Sequence, residues 1–185
     1  MKQYFLIVFA TFLLLTSCDN ATKYKTELDE ISNYQSKLDS LTDEINGIKI
    51  DSLIYMQAEA AKNERIIKQY YAPDTIDVAF VQKLNKGKSV HKSLKNVETQ
   101  KQSMLTEIEA LKIQFSNLEK DILEGLYDKE QITDYLNVEK LDYDILELNF
   151  KDFNLNQQKQ KNNFYFANPQ IAEYVEILLN ENKTP

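Results

Sequence analysis

Few residues in this chain have side chains that could combine to do chemistry. There is one Cys, Cys18, and one His, His91, among 185 residues. An intrachain disulfide is therefore impossible, and a Cys/His zinc site or a Cys-His nucleophile pair would require the chance meeting of these two residues. Asp142 and Asp144 are two residues apart and point to different sides of a helix. The sequence has no phosphate loop, nucleophile elbow, zinc-protease helix or calcium loop. We therefore predict no catalytic site, no metal and no cofactor, in a protein that is not an enzyme.

The elements that carry these residues must be helices. Only three Gly and three Pro leave few turns, whereas sandwiches, barrels and many-stranded α/β domains need turns at short intervals. A composition of 43% hydrophobic and 28% charged residues is too apolar for a disordered chain. We expect an all-α fold, an elongated helical bundle built on an antiparallel coiled-coil hairpin.

The N-terminus predicts export. A positive start, Met1-Lys2-Gln3, precedes an apolar run from Tyr4 to Leu15 that only Thr11 interrupts. Such a run is too short to cross a bilayer as a helix, but it is typical of a signal peptide.

The end of that segment, Leu15-Thr16-Ser17-Cys18, resembles the lipobox of bacterial lipoproteins. The resemblance implies that residues 1–17 are a cleaved signal peptide and that Cys18 becomes the lipidated first residue, anchored to a membrane of the cell envelope. The alternative is an ordinary signal peptide that ends in a chance Cys. Asp19 resembles an inner-membrane retention signal of some enteric lipoproteins, a rule that other bacteria do not follow. We favour the outer membrane, with the leaflet open.

Three Asp-Ser/Thr-aliphatic triplets resemble the acceptor of an envelope O-glycosylation system in some Gram-negative bacteria. The resemblance implies glycosylation at Ser40, Ser52 and Thr75. The alternative is that these Asp and Ser side chains are solvated positions on helix faces.

Helix breakers divide the mature chain. Asp128 with Gln131 reads as a capping box, and Asn168-Pro169 as the start of a last helix. We predict a short tether at 18–23 and one domain at 24–181, with helices at about 24–70 (broken near 47), 74–86, 89–124, 129–163 and 169–181.

Two apolar seams with 4-3-4-3 spacing predict the hairpin. The seams pair in register when the chain folds back near Tyr127. Their members are Val90, Leu94, Val97, Lys101, Met104, Ile108, Leu111, Phe115, Leu118 and Ile122, then Ile132, Leu136, Glu139, Tyr143, Leu146, Phe150, Phe153, Gln157, Gln160 and Phe164. The polar members, Lys101, Glu139, Gln157 and Gln160, are interpreted as layers that fix register, the alternative being a buried polar binding site.

The helix after Tyr127 carries a second apolar stripe, which would be exposed to water unless another helix packs on it. Its residues are Val138, Leu141, Ile145, Leu148 and Leu155. We expect the N-terminal helix to cover it, with self-association as the alternative.

Candidate partner-binding residues lie in a basic region and an aromatic cluster. Residues 83–101 with 151–168, which the hairpin puts at one end, carry nine Lys against two acids, whereas residues 102–150 carry twelve acids against four Lys. A basic end suits phospholipid head groups, an acidic glycan or an acidic protein face, although loose alternation of charges on solvated helices explains it equally. His91 is interpreted as a surface histidine. The candidates are Lys88, Lys92, Lys95, Phe164, Tyr165 and Phe166.

These observations lead to two hypotheses about function. The first is a non-enzymatic envelope lipoprotein that acts as a helical spacer, tether or accessory subunit and docks another envelope protein or a second copy. The alternative is a ligand-binding module for a cell-wall or host glycan or a small apolar molecule, which a cavity lined by Gln157 and Gln160 would favour. Nucleic acid is excluded as a partner, because the mature chain is acidic and exported.

Overall fold

The fold is all-α, as the sequence predicts. The computed structural model describes residues 19–73, 75 and 77–182, so Cys18 and the predicted signal peptide lie outside the described residues. Within those ranges five helices pack as a bundle with long antiparallel contacts, and there is no strand. They are α1 (Lys25–Asn46), α2 (Ile50–Tyr70), α3 (Val78–Ser93), α4 (Val97–Glu124) and α5 (Lys129–Glu181).

The segment predicted as a tether at 18–23 is helical from residue 19 to 23. Asn20 Nδ2 donates a hydrogen bond to the carbonyl of Leu123 over 3.2 Å, and the Tyr24 side chain is buried. These contacts hold the segment against α4. Five residues are too few for a hydrophobic periodicity to be recognised, so the sequence did not predict this helix.

Two of the predicted helix breaks are wrong. Gly87 lies inside α3, and the turn falls instead at residues 94–96. Pro169 lies inside α5, although a Pro in a helix interior costs about 3 kcal/mol. Ala167 and Ile171, on either side of Pro169, are buried in the core, and tertiary packing of this kind supplies most of the stability of a helix in a protein.

Two predicted helix boundaries are confirmed. The first break falls at Gly47, between α1 and α2. The capping box precedes α5: Gln131 N donates to Asp128 Oδ1 over 3.0 Å, and Asp128 N donates to Gln131 Oε1 over 3.1 Å. Both signals depend on local backbone geometry, so the sequence carries them directly.

The described chain divides into two compact units. The first contains residues 19–47 and Ser103–Asn149. At the edge of its core, the half-buried Tyr34 stacks on the fully buried Phe115 with ring centroids 5.6 Å apart and meets Tyr143 edge-on at 5.1 Å. Each of these three rings comes from a different helix. Ion pairs connect α1 to the other two helices: Lys112–Asp39 at 2.7 Å, Lys129–Glu27 at 3.1 Å, and Lys140–Glu30.

The second unit contains residues 48–102 and 150–182. Asp77 caps the start of α3 by accepting hydrogen bonds from the backbone N–H groups of Ala79 and Phe80. Phe80, Tyr71 and Tyr174 then form a cluster in which each ring contacts the other two, with centroids 4.9 to 5.6 Å apart. The core cluster consists of Ile67, Phe80, Ala167, Ile171, Val175 and Leu178.

Every apolar position of the two predicted seams is buried, so the predicted buried faces are confirmed. The first seam does not lie on one helix, however, because Val90 belongs to α3 and Leu94 to the turn before α4. The prediction that α1 covers the second stripe is wrong. Val138, Leu141, Ile145 and Leu148 are between 47% and 60% exposed, and Leu155, in the second unit, is also exposed. Because α1 inserts its own seam beside Phe115 and Tyr143, it lies against the already buried side of α5.

The seam residue Glu139 gives a pH-dependent prediction. Its Oε2 is buried without a hydrogen-bond partner in the described chain. Burial, with a smaller contribution from the nearby Asp142 carboxylate, raises the pKa of Glu139. For a carboxyl group whose pKa is raised by folding, stability is highest below the ordinary glutamate range and is lost as the pH rises through the folded pKa.

Glu139→Gln should therefore increase the free energy of unfolding at neutral pH by up to about 1 kcal/mol. It should also make the free energy of unfolding less dependent on pH in the mildly acidic range, because the titrating group has been removed. Urea unfolding between pH 4 and 8 measures both effects, with the exposed Glu130→Gln on the same helix as control. Equal responses of the two variants to pH would contradict the assignment of the effect to Glu139.

Candidate functional site

A cavity of about 170 Å³ lies within the second unit, between α2, α3 and α5. Its deep wall is apolar except for Asn63. Asn63 is only 2% exposed, and its Nδ2 donates to Asn168 Oδ1 over 3.0 Å. Its Oδ1 has less than 1 Å² of accessible surface and no hydrogen-bond partner among the described residues. A buried acceptor without a partner is rare in folded proteins. The deep wall consists of Ala60, Asn63, Ile67, Phe164, Ala167 and Ile171.

The rim of the cavity is polar and charged. Glu64 accepts a hydrogen bond from Lys68 Nζ at 2.6 Å, and its other oxygen lies 2.7 Å from His91 Nδ1. Burial by itself would raise the pKa of Glu64, but the contacts with Lys68 and His91 outweigh burial and hold the pKa below its ordinary value. Glu64 is therefore ionised and paired, and Lys88 adds a second lysine to the rim.

Gly87 contributes to the cavity by its small size. A Cβ at this position would lie 3.1 Å from Ile171 Cδ1, closer than carbon atoms ordinarily pack. The glycine thus lets α3 approach α5 closely at the edge of the cavity, which explains why α3 contains a residue of low helix propensity.

Asn63 and Glu64 are residues that the sequence interpretation missed. Leu53, Met56, Ala60, Asn63 and Ile67 step 3-4-3-4 along α2, and all five are buried. This spacing places Asn63 at a core position, which is a signal that the sequence alone contains. His91 was interpreted as a plain surface residue, yet it is half-buried beside Glu64, 27 positions earlier in the chain.

The two seam glutamines do not line the cavity. Gln160 Oε1 accepts hydrogen bonds from Ser89 and Asn163, and Gln160 Nε2 donates to Asn156. Lys86 Nζ completes this network by donating to Asn163 Oδ1 over 3.1 Å. Gln157 is also buried, but its Nε2 has no hydrogen-bond partner in the part of the chain that the structure describes. The Gln160 network acts as a polar layer that joins α3 to α5.

The structure divides the predicted partner-binding residues. Phe164 is buried, meets Tyr55 edge-on at 6.3 Å and forms part of the cavity wall, so it is not part of an exposed patch. Its position in the α5 seam accounts for the burial. Lys88 lies at the cavity rim. The other four are exposed at the surface of the second unit: Lys92, Lys95, Tyr165 and Phe166.

The predicted glycosylation residues differ in accessibility. Ser40 is exposed within α1, and Ser52 is half-buried in the first turn of α2. Thr75 is exposed between α2 and α3, although its triplet neighbours Asp74 and Ile76 lie outside the described residues.

The uncovered stripe of the first unit consists of Val138, Leu141, Ile145 and Leu148, and we call it the α5 stripe. Each of these four residues lies two positions from a buried seam residue (Leu136, Tyr143 or Leu146), which is a rotation of about 200° around the helix. The stripe therefore occupies the side of α5 opposite the core. Its 3-4-3 spacing is that of a coiled-coil seam.

Between residues 137 and 149, the positions of α5 that flank the α5 stripe are Asp or Asn, and Lys151 follows on the same border one turn beyond Leu148. Asn137 and Asp144 lie along one side of the stripe, and Asp142 and Asn149 along the other. Lys140, which adjoins Leu141 in the sequence, pairs with Glu30 of α1. The stripe is thus an apolar seam with an acidic border.

Neither a metal centre nor a membrane-spanning helix is found among residues 19–73, 75 and 77–182. No group of three or more His, Cys, Asp or Glu side chains in these ranges could hold a metal ion. No helix there combines the length and apolar character needed to cross a bilayer.

Comparison of the chain with protein-family models, with curated proteins and with solved structures finds no match in any of the three.

Proposed function

We propose that this chain is a non-enzymatic lipoprotein of the bacterial cell envelope that docks a helix of another envelope protein on its α5 stripe. The observation that carries the proposal is the stripe itself, four large apolar side chains in coiled-coil spacing on a folded helix whose opposite side is already buried. Exposed apolar surfaces of this kind mark interaction sites in soluble domains.

The partner is a helix with an apolar seam and basic borders. A helix that lays i, i+3 and i+7 anchors along the stripe would bury these side chains at about 25 cal/mol per Å² of apolar area. Lys or Arg at the borders of that helix would face Asp142 and Asp144. A second copy of this chain would bring the Asp and Asn borders of residues 137–149 against each other, with Lys151 at the end of the stripe as the basic residue of this border. Self-association therefore places mostly like or neutral groups together, which favours a heterologous partner.

The lipid anchor is supported by the lipobox resemblance at Cys18. Attached acyl chains contribute about 0.8 kcal/mol per buried CH₂ group, so a multiply acylated Cys would hold the protein on the membrane permanently. The bundle would then present the α5 stripe to other proteins of the same envelope.

Photo-crosslinking in the producing cells tests the docking proposal. A photoreactive residue at Leu148 of the full chain should give one discrete adduct with a different protein. The same probe at Gln114, an exposed residue of α4, is the matched control and should not give this adduct. An adduct of twice the chain mass would show self-association and contradict the heterologous partner.

Substitutions within the stripe should remove the adduct without unfolding the protein. We expect Leu141→Ser combined with Ile145→Ser to abolish crosslinking from Leu148, because two anchors are lost. The free energy of unfolding should change by less than about 0.5 kcal/mol per site, since these side chains contact solvent. Persistence of the adduct, or a large loss of stability, would refute the stripe as a docking surface.

The anchor is tested separately. Cys18→Ala should abolish incorporation of radiolabelled palmitate and release the protein from the membrane fraction, whereas Ser17→Ala should keep both. Labelling that survives in the Cys18 variant would contradict lipidation while leaving the crosslinking result intact.

A further inference from the structure

We propose that one end of the first unit contacts the head-group interface of the membrane that holds the lipid anchor. This end, which we call the hairpin tip, carries Leu126, Tyr127 and Tyr135, where the chain turns from α4 into α5. The partner is a surface of neutral phospholipids. The inference rests on the proposed lipid anchor at Cys18 and adds to it a contact surface on the folded protein.

The lipid anchor would be attached next to the hairpin tip. Consecutive Cα atoms are about 3.8 Å apart, so the Cα of Cys18 lies within about 8 Å of that of Asn20. Asn20 Nδ2 donates to the carbonyl of Leu123 over 3.2 Å, and a Cβ on Gly125 would lie 2.7 Å from the same nitrogen. The acyl chains of the anchor would therefore leave the protein close to Leu126.

Further contacts fix this end of the unit. The Tyr24 side chain is buried, and Glu27 in the first turn of α1 pairs with Lys129 at the start of α5 over 3.1 Å. The start of α1, the end of α4 and the start of α5 therefore lie together. A bilayer that holds the acyl chains brings its surface to these three helix ends.

The exposed side chains of the hairpin tip suit a membrane interface. Leu126 is 59% exposed and Tyr135 is 45% exposed, and the rings of Tyr127 and Tyr135 have centroids 4.9 Å apart. Tyrosine is enriched at membrane interfaces, where its ring contacts apolar groups and its hydroxyl stays in water. The exposed leucine has apolar surface that the boundary between head groups and acyl chains can bury.

The charge of the hairpin tip sets the class of lipid. Lys120 pairs with Glu124, and Lys129 with Glu27. Negative charge therefore remains at the tip, and it repels anionic head groups but not neutral ones. Residues 120–130 contain two lysines against four acids, which are Asp121, Glu124, Asp128 and Glu130.

A fluorophore on the hairpin tip tests the contact. Leu126→Cys in the full lipidated chain would carry the environment-sensitive fluorophore NBD, since acylation leaves no free thiol at Cys18. In vesicles of phosphatidylethanolamine and phosphatidylcholine, nitroxide groups near the lipid head groups should quench this fluorophore. Leu148→Cys is the matched control, because Leu148 is 58% exposed and lies about 29 Å along α5 from Lys129. Weak quenching at position 148 supports the proposal, and equal quenching at both positions would overturn it.

A change of lipid tests the preference for neutral head groups. Replacing half of the neutral lipid by phosphatidylglycerol should reduce quenching at position 126 at low salt, and added salt should restore it by screening the repulsion. Quenching that is unchanged or stronger with phosphatidylglycerol would contradict the assigned lipid class.

A second variant separates contact from mere proximity to the anchor. Tyr135→Ser should reduce quenching at position 126, because an interfacial ring is lost. Ile113→Ser removes an apolar side chain of α4 that is 60% exposed and should leave the quenching unchanged, with circular dichroism confirming the helix content of both variants. Quenching that does not respond to Tyr135→Ser would show that the anchor alone places the tip there, which refutes the contact.

Failure of the tip contact and failure of the anchor give different results. A chain that takes up no palmitate and does not bind vesicles contradicts the anchor of the proposed function. A palmitate-labelled chain that binds vesicles but is unquenched at position 126 contradicts only the tip contact.

Discussion

Phe115→Ala is expected to destabilise the protein by about 3–5 kcal/mol, the range measured for truncating a fully buried aromatic side chain. Phe115 has no exposed surface, lies in the α4 seam and stacks on Tyr34 of α1. Truncation leaves a cavity where three helices of the first unit meet, and Tyr34 loses its stacking partner. The loss is a large part of the stability of a typical domain.

Urea unfolding followed by circular dichroism measures this effect. Phe166→Ala is the matched control, because the same side chain is removed from a site that is 57% exposed. Lys83 and Lys86 lie over the Phe166 ring at 5.3 and 5.7 Å, so the control should cost less than about 1 kcal/mol. Similar losses in both variants would contradict the packing of the first unit.

Gly125→Ala should destabilise the protein by about 2 kcal/mol. Gly125 ends α4 with φ at +71°, a conformation that costs an L-residue about 1–2 kcal/mol. The hydrogen bond from Leu126 N to the carbonyl of Asp121 depends on this turn. An added Cβ would also lie 2.7 Å from Asn20 Nδ2, which would displace the side chain that donates to Leu123.

Gly47→Ala is the control for this prediction and should have the opposite sign. Gly47 has φ near −65°, and an added Cβ meets nothing closer than 3.4 Å. Alanine should therefore stabilise the fold by about 0.4–1 kcal/mol, because it reduces the freedom of the unfolded chain. Thermal melts of the two variants should shift in opposite directions, and a shift of the same sign in both would contradict the assigned turn geometry.

The local patterns of the sequence predicted the buried faces of the helices. The 4-3-4-3 seams of α4 and α5, the capping box at Asp128 and the break at Gly47 each depend on residues within a few turns of one another. Helix periodicity and capping geometry operate over the same distance, so these features can be deduced without knowing the neighbouring helices.

The candidate site needed information that no local pattern contains. The spacing of Asn63 places it in a core seam, but its hydrogen bonds do not follow from spacing. Its Nδ2 donates to Asn168, 105 positions later, and its Oδ1 has no partner in the described chain. The contact between His91 and Glu64 and the close approach at Gly87 likewise depend on how α2, α3 and α5 pack. Phe164 has the same aromatic character as Tyr165 and Phe166, and only packing separates the buried ring from the exposed ones.

The sequence by itself determined that this chain is helical, which faces of α4 and α5 are buried and, through the segment that ends at Cys18, which compartment to propose. Tertiary structure decided what those faces meet. Because of tertiary packing, α5 continues through Pro169 without a break. The packing of α2, α3 and α5 leaves a cavity beside Asn63, and no described helix covers the α5 stripe. Hydrophobic periodicity predicts which face of a helix is buried, but it does not predict which element buries that face. The hydrophobic effect is non-directional, so any apolar partner of suitable shape can cover the face.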